Sequence, residues 1–300
     1  MRSSSRARER RSCRSRRLAA WLAAAALAVA AWGQGRPAPK AFGIADAAVS
    51  QSEDGAPAGS QHEFYPGETV FLSWRVDGYK RVERNDRDWL KLEWRVEAED
   101  PAGVPLVAPA AGKVDTDLAP QDKEWRPKLR HEILLPPLIP SGRYKVRIVM
   151  TDAYAGTKAE REIPLNVRGY DVEPSDTLTV RNLGYFRGED DQRALSVAAY
   201  RPGDVVWAKF DITGFRRGQG NRFEVTYGLE VLRENGERLF EQAEAARIAE
   251  ANFYPKKAVP GAFSLSLTPD LAKGPYTVVL RVRDELGNQS YETKTGFTVE

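Results

Sequence analysis

The stretch YPGETVFLSWRVDGYKR at residues 65–81 returns as RPGDVVWAKFDITGFRR at residues 201–217. Residues 42–81 lie over 178–217 without a gap, at a constant offset of 136 positions. Pro66-Gly67 falls on Pro202-Gly203, Val70 on Val206, Trp74 on Phe210 and Gly78 on Gly214. After a small length difference LKLEWRVEAEDPAGVPL (90–106) matches FEVTYGLEVLRENGERL (223–239). After another, SGRYKVRIVMTDAYAGT (141–157) matches KGPYTVVLRVRDELGNQ (273–289). A unit of about 130 residues exceeds the period of solenoid repeats, so this is one domain duplicated rather than a stacked array. Whatever the chain folds into must therefore be satisfied twice.

The matched apolar positions recur every second residue, as expected of a pleated strand that sends alternate side chains to opposite faces. Val70, Leu72, Trp74 and Val76 share one face, answered by Val206, Ala208, Phe210 and Ile212. Leu90, Leu92, Trp94, Val96 and Ala98 alternate likewise, as do Tyr144, Val146, Ile148 and Met150 with their counterparts Tyr276, Val278, Leu280 and Val282. Turn-forming segments such as DPAG, ENGE and DELGN separate them. No stretch alternates strand with helix, so the fold class is all-β, two tandem antiparallel β-sandwich domains. One segment departs from the pattern. LFEQAEAARIAEANF (239–253) has helix-forming composition, whereas its counterpart in 107–125 is rich in Pro, Gly and Asp, and a short helical excursion is expected there.

Composition matters mainly through where the charge sits. Residues 1–17 hold eight Arg and one Glu; removing them from totals of 45 basic and 42 acidic residues leaves 37 and 41, a net charge of −4. The body of the chain thus lacks the excess that nucleic-acid binding uses. The uncharged run LAAWLAAAALAVAAW (18–32) follows, and a basic start, an apolar run and small residues describe a secretory signal peptide cleaved within 30–36. Retention as an N-terminal membrane anchor is the alternative, although a bilayer span takes about 20 apolar residues. Cys13, the only cysteine, precedes the run, so a processed chain has no thiol for disulfides, zinc sites or catalysis. The expected organisation is a signal segment over 1–35, a first sandwich over 36–168, a linker over 169–176 and a second sandwich over 177–300. The last strand runs to Glu300, and no sorting tail or further membrane segment is expected after it.

The pattern YRPGDVVWAKF…LEVLRENGERLF…KGPYTVVLRV…GFTV resembles bacterial immunoglobulin-like and fibronectin-III-like domains. It is most similar to macroglobulin-type sandwiches, which open on a Tyr-x-Pro-Gly strand and close on a Gly-x-Tyr strand. The resemblance spans each copy. It implies a fold shared by many unrelated modules, and the reactive thioester of alpha-macroglobulins has no counterpart in this sequence.

Candidate chemistry is sparse. The two histidines, His62 and His131, are not equivalent in the repeat; His131 aligns with Phe263 and is expected on the inward face as a structural residue. No nucleophile elbow, zinc-protease helix, phosphate loop or dinucleotide fingerprint occurs, so no enzyme is expected and no cofactor is implied. Acidic groups that converging loops could offer to calcium are Glu53-Asp54, Glu189-Asp190-Asp191, Asp115 with Asp117, and Asp152 with Asp284. The last two have an ordinary alternative, accepting backbone hydrogen bonds in turns. Phe71 and Trp207 occupy one repeat position out of phase with the core, so both should point outward as a sugar-stacking platform or a protein contact, unless covered by a loop. Trp89 and Trp125 have no aromatic counterpart in the second copy and complete the candidate interaction surface. Arg143, Lys145, Arg147, Arg281 and Arg283 fall on outward positions, where they discourage edge aggregation or bind an anionic polysaccharide. The expected function is an exported, non-catalytic binding or structural module, periplasmic or extracellular, with a protein or cell-surface polysaccharide as partner. Carbohydrate recognition through the outward aromatics and hydrolysis at an unrecognised site are the alternatives.

Overall fold

The computed structural model describes residues 40–122 and 124–300, so the expected signal segment and Cys13 lie outside the described residues. The first sandwich comprises β1 (Gly43–Ser50), β2 (Glu63–Phe64), β3 (Thr69–Asp77), β4 (Val82–Arg84), β5 (Arg87–Glu99), β6 (Ala110–Leu118), β7 (Lys128–Leu134), β8 (Gly142–Asp152) and β9 (Thr157–Val167). The second comprises β10 (Thr179–Phe186), β11 (Ala199–Tyr200), β12 (Val205–Thr213), β13 (Phe223–Arg233), β14 (Arg238–Glu250), β15 (Ala258–Ser266), β16 (Gly274–Asp284) and β17 (Gln289–Val299). Each sandwich packs a three-stranded sheet, β1-β3-β7 or β10-β12-β15, against a larger one. The larger sheets run β2-β9-β8-β5, with β4 and β6 also on β5, and β11-β17-β16-β13-β14. The order of strands repeats as the sequence does, and the chain folds as two tandem immunoglobulin-like sandwiches. Pairing is antiparallel except where the short β2 and β11 run parallel to β9 and β17.

The inward positions are those the alternation marks. Val70, Leu72, Trp74 and Val76 of β3 are all but inaccessible, as are Val206, Ala208, Phe210 and Ile212 of β12. Burying one such large side chain is worth about 1.5–3 kcal/mol, and each sandwich has its own cluster of them. The Trp74 indole N–H finds a partner in the Met150 sulfur at 3.3 Å, which satisfies the one polar atom of the largest core residue.

Three repeated polar devices hold these sheets. The Pro-Gly pair makes a type II turn: Glu68 N–H donates to the Tyr65 carbonyl (3.1 Å) and Asp204 N–H to that of Arg201 (3.0 Å), with φ of 82° at Gly67 and 91° at Gly203. Tyr144 donates its hydroxyl to the Pro140 carbonyl at 2.8 Å and Tyr276 to that of Ala272 at 2.5 Å, a tyrosine corner in both copies. Asp152 and Asp284, both buried, sit at the β8–β9 and β16–β17 turns and accept backbone N–H groups there. Each also reaches across to the segment after the three-stranded sheet's central strand, taking the N–H of Lys80 (2.5 Å) or Arg216 (2.7 Å).

One expectation is corrected. Residues 239–253 contain no helical excursion; β14 extends over Arg238–Glu250 and pairs antiparallel with β13, as β6 pairs with β5. The helix-forming side chains are mostly exposed, and cross-strand pairing overrides their propensity. The register of β14 shifts between Tyr227 and Leu229, where Gly228 approaches so closely that a Cβ would stand 2.1 Å from the Ala243 carbonyl oxygen.

Candidate functional site

Phe71 and Trp207 lie on the outward faces of β3 and β12, half-buried in both cases. Phe71 is flanked by Ser50 and Glu132 on the adjacent strands, Trp207 by Phe186 and Ser264. Near Phe71 the chain after β1 folds back, Ser50 donating its hydroxyl to the Phe71 carbonyl at 3.4 Å. Arg130 on the same sheet face binds both Glu53 (2.6 Å) and Asp54 (2.5 Å). Beside Trp207 the Lys209 ammonium stands 4.8 Å from the Phe186 ring centre and donates to the Asp191 carbonyl at 2.8 Å. Trp89 is half-buried on β5 between Val82 and Asp117, in the opposite sheet from Phe71. Trp125 stands exposed in the loop before β7, its carbonyl accepting the Tyr79 hydroxyl at 2.7 Å. The four aromatics thus occupy separate places on the two sandwiches.

The charged candidates are largely engaged. Asp115 pairs with Lys91 at 3.4 Å; Arg87 binds Asp117 and holds its carboxyl below the usual range. Among the described residues no group of three or more His, Cys, Asp or Glu side chains is arranged to hold a metal ion. On the outward sheet faces Lys145 meets Glu99 (3.1 Å), Arg147 meets Glu160 (2.6 Å), and Arg281 bridges Glu230 (2.7 Å) and Glu292 (2.9 Å). These are cross-strand ladders of alternating sign rather than a basic track. His131 lies half-buried with its ring 5.7 Å from that of Trp94, and desolvation pushes its pKa down. His62 stacks edge-on to Phe64 at 4.5 Å.

A polar cluster outside the cores lies where the sandwiches meet, and no sequence motif marks its members. Asp100, at the turn after β5, accepts the Ala102 and Val104 N–H groups on one oxygen, both at 2.8 Å. Its other oxygen accepts the Tyr254 hydroxyl at 2.8 Å. Tyr254 belongs to the loop between β14 and β15 of the second sandwich, yet its ring packs into the first core. On the other side, the linker residue Tyr170 donates its hydroxyl to Asp211 on β12, whose second oxygen accepts the Asn182 amide at 2.8 Å. Tyr170 is held to the first sandwich through its own N–H, 2.8 Å from the Ile139 carbonyl, and by Asp171, which accepts the Ser141 N–H at 2.7 Å. Gly169 fits here because it lacks a side chain: a Cβ would stand 2.0 Å from the Ile139 carbonyl oxygen. Burial and the adjacent carboxylates push the Tyr254 and Tyr170 pKa values well up, so both phenols stay protonated as donors. A shallow groove of about 520 Å³ opens beside the joint, lined by Tyr170, Phe186, Lys209, Asp211 and Ala262 among others.

The chain matches no protein-family profile. No curated protein sequence matches it either. Among solved structures it is similar to the C-terminal domain of an antigen I/II-family protein of Streptococcus pyogenes, with 8% identity, a TM-score of 0.30, and coverage of 87% of this chain and 100% of that one. A Salmonella alpha-2-macroglobulin is similar at 10% identity and TM-score 0.27, over 86% of this chain and 16% of that one. A family 123 glycoside hydrolase of Clostridium perfringens is similar at 13% identity and TM-score 0.29, over 41% and 27%. At these values the immunoglobulin-like architecture rests on the strand pairing itself.

Proposed function

We propose that the chain is an exported, non-catalytic module of two sandwiches, 36–168 and 177–300 joined by 169–176, that works through protein contacts at the cell envelope or outside the cell. One observation carries the reading: the buried acidic side chains serve the fold. Asp100, Asp152, Asp211 and Asp284 accept backbone N–H groups, tyrosine hydroxyls or an amide, and Glu224 and Glu230 are matched by arginines. Each of these carboxylates is committed to groups of the chain itself, which supports a structural role for them. The basic start and apolar run at 1–32 support export. Among the described residues no helix is long and apolar enough to cross a membrane.

Photo-crosslinking in intact cells of the native organism tests the proposal, with the reactive residue at Phe71, Trp89, Trp125 or Trp207 and a control at Lys294. A protein adduct from the aromatic positions that the control does not form is the expected result. Adducts equal to the control, or turnover of a broad hydrolase substrate panel by purified protein, overturn it. Intact mass of the exported protein shows whether 1–35 has been removed. A second reading, saccharide binding, is favoured by the partly exposed Trp207 on an outward face, with the small residue Ser264 opposite it on the next strand. Glycan-array binding lost in Trp207→Ala supports it; binding unchanged in that variant removes this face.

A further inference from the structure

We propose that the joint between the sandwiches makes them one stiff body, so that surfaces on both modules meet a partner in a single fixed geometry. The inference goes beyond the functional reading above and stands without it. Its basis is two hydrogen bonds that cross the joint with opposite polarity. The second sandwich donates Tyr254 to a carboxylate of the first, Asp100. The linker, tied to the backbone of the first, donates Tyr170 to a carboxylate of the second, Asp211. Both carboxylates are 4% exposed. In such low-dielectric surroundings a hydrogen bond to a charge is strong, and leaving that charge without its donor is expensive. Opening the joint would strip the tyrosine donor from Asp100, which keeps the Ala102 and Val104 N–H groups, and from Asp211, which keeps the Asn182 amide, and would withdraw the Tyr254 ring from the first core.

The linker has the same character. A flexible connector is rich in Gly and Ser and makes no tertiary contacts. Here Gly169, Tyr170 and Asp171 are bonded to Ile139 and Ser141, and Glu173 lies 3.5 Å from Arg181. Gly169, Tyr170 and Asp171 are thus fastened to the first sandwich, and Tyr170 and Glu173 also reach the second. Hinge bending would have to break several of these bonds together.

The test is nuclear magnetic resonance of the full processed chain in dilute weakly aligning medium, comparing wild type with Tyr170→Phe/Tyr254→Phe. Removing two hydroxyls leaves both rings and their packing in place. For wild type, residual dipolar couplings from both sandwiches should fit one alignment tensor, with one rotational correlation time. In the double variant the two sets should separate into distinct tensors, each sandwich keeping its own amide spectrum. Independent tensors in wild type overturn the proposal, as does a double variant that still fits one tensor. Should the variant fail to fold, the wild-type couplings alone decide the matter.

Discussion

Gly78 and Gly214 show how much one repeated residue can decide. Both adopt positive φ, 66° and 77°, and a Cβ there would stand 2.2 Å from the Lys40 carbonyl oxygen or 1.9 Å from that of Thr177. Gly214→Ala should therefore lose more than about 1 kcal/mol in denaturant unfolding, whereas Gly59→Ala, with open space around it, should change stability by less than about 0.5 kcal/mol. Asp284 is the second test. It accepts N–H groups from Arg216, Leu286 and Gly287 in a buried site, so Asp284→Ala should cost about 2–3 kcal/mol, and Asp152→Ala a similar amount in the first copy. The pairing of these residues in the repeat is visible in the sequence, and a turn role is one of the two readings it allows. Their reach across to the segment after β3 or β12 is not visible, because that contact spans 68 residues in one copy and 72 in the other.

Strand positions on β3, β5, β8 and their partners are legible because a period of two admits one inward face. β14 is not, since Gln, Ala, Glu and Arg favour a helix and its few apolar side chains mark no clear face. What makes it a strand is the open edge of β13, whose N–H and C=O groups need partners. Amide hydrogen exchange should report this: β14 amides that face away from β13 exchange early, while those of β13 and β16 are protected. Uniform slow exchange across residues 238–250 would contradict its edge position. The ladder on the same sheet has a pH signature. The Arg281 bond lowers the Glu230 pKa below its ordinary value of 4.5, so this contribution is present above that pH and is lost as pH falls through the lowered value. Arg281→Met should melt earlier than wild type at pH 7, and the gap should close in acid.

At the scale of the whole molecule, the tyrosines that anchor corners and core set an alkaline limit. Burial pushes Tyr144 and Tyr185 up from 10.0 to about 12. The unfolded chain releases these protons first, so the stability they contribute is intact below pH 10 and falls between pH 10 and about pH 12. Melting temperatures across that window, read beside tyrosinate absorbance, should decline as the late-titrating phenols ionise. By itself the sequence determined the duplication, the all-β architecture and the inward residues of most strands, because alternation and turn chemistry are local and appear twice. The edge strand β14 and the carboxylates that take Tyr254 and Tyr170 were decided only when distant segments met. A tyrosine in one sandwich and an aspartate in the other, 154 positions apart, are linked by no local rule.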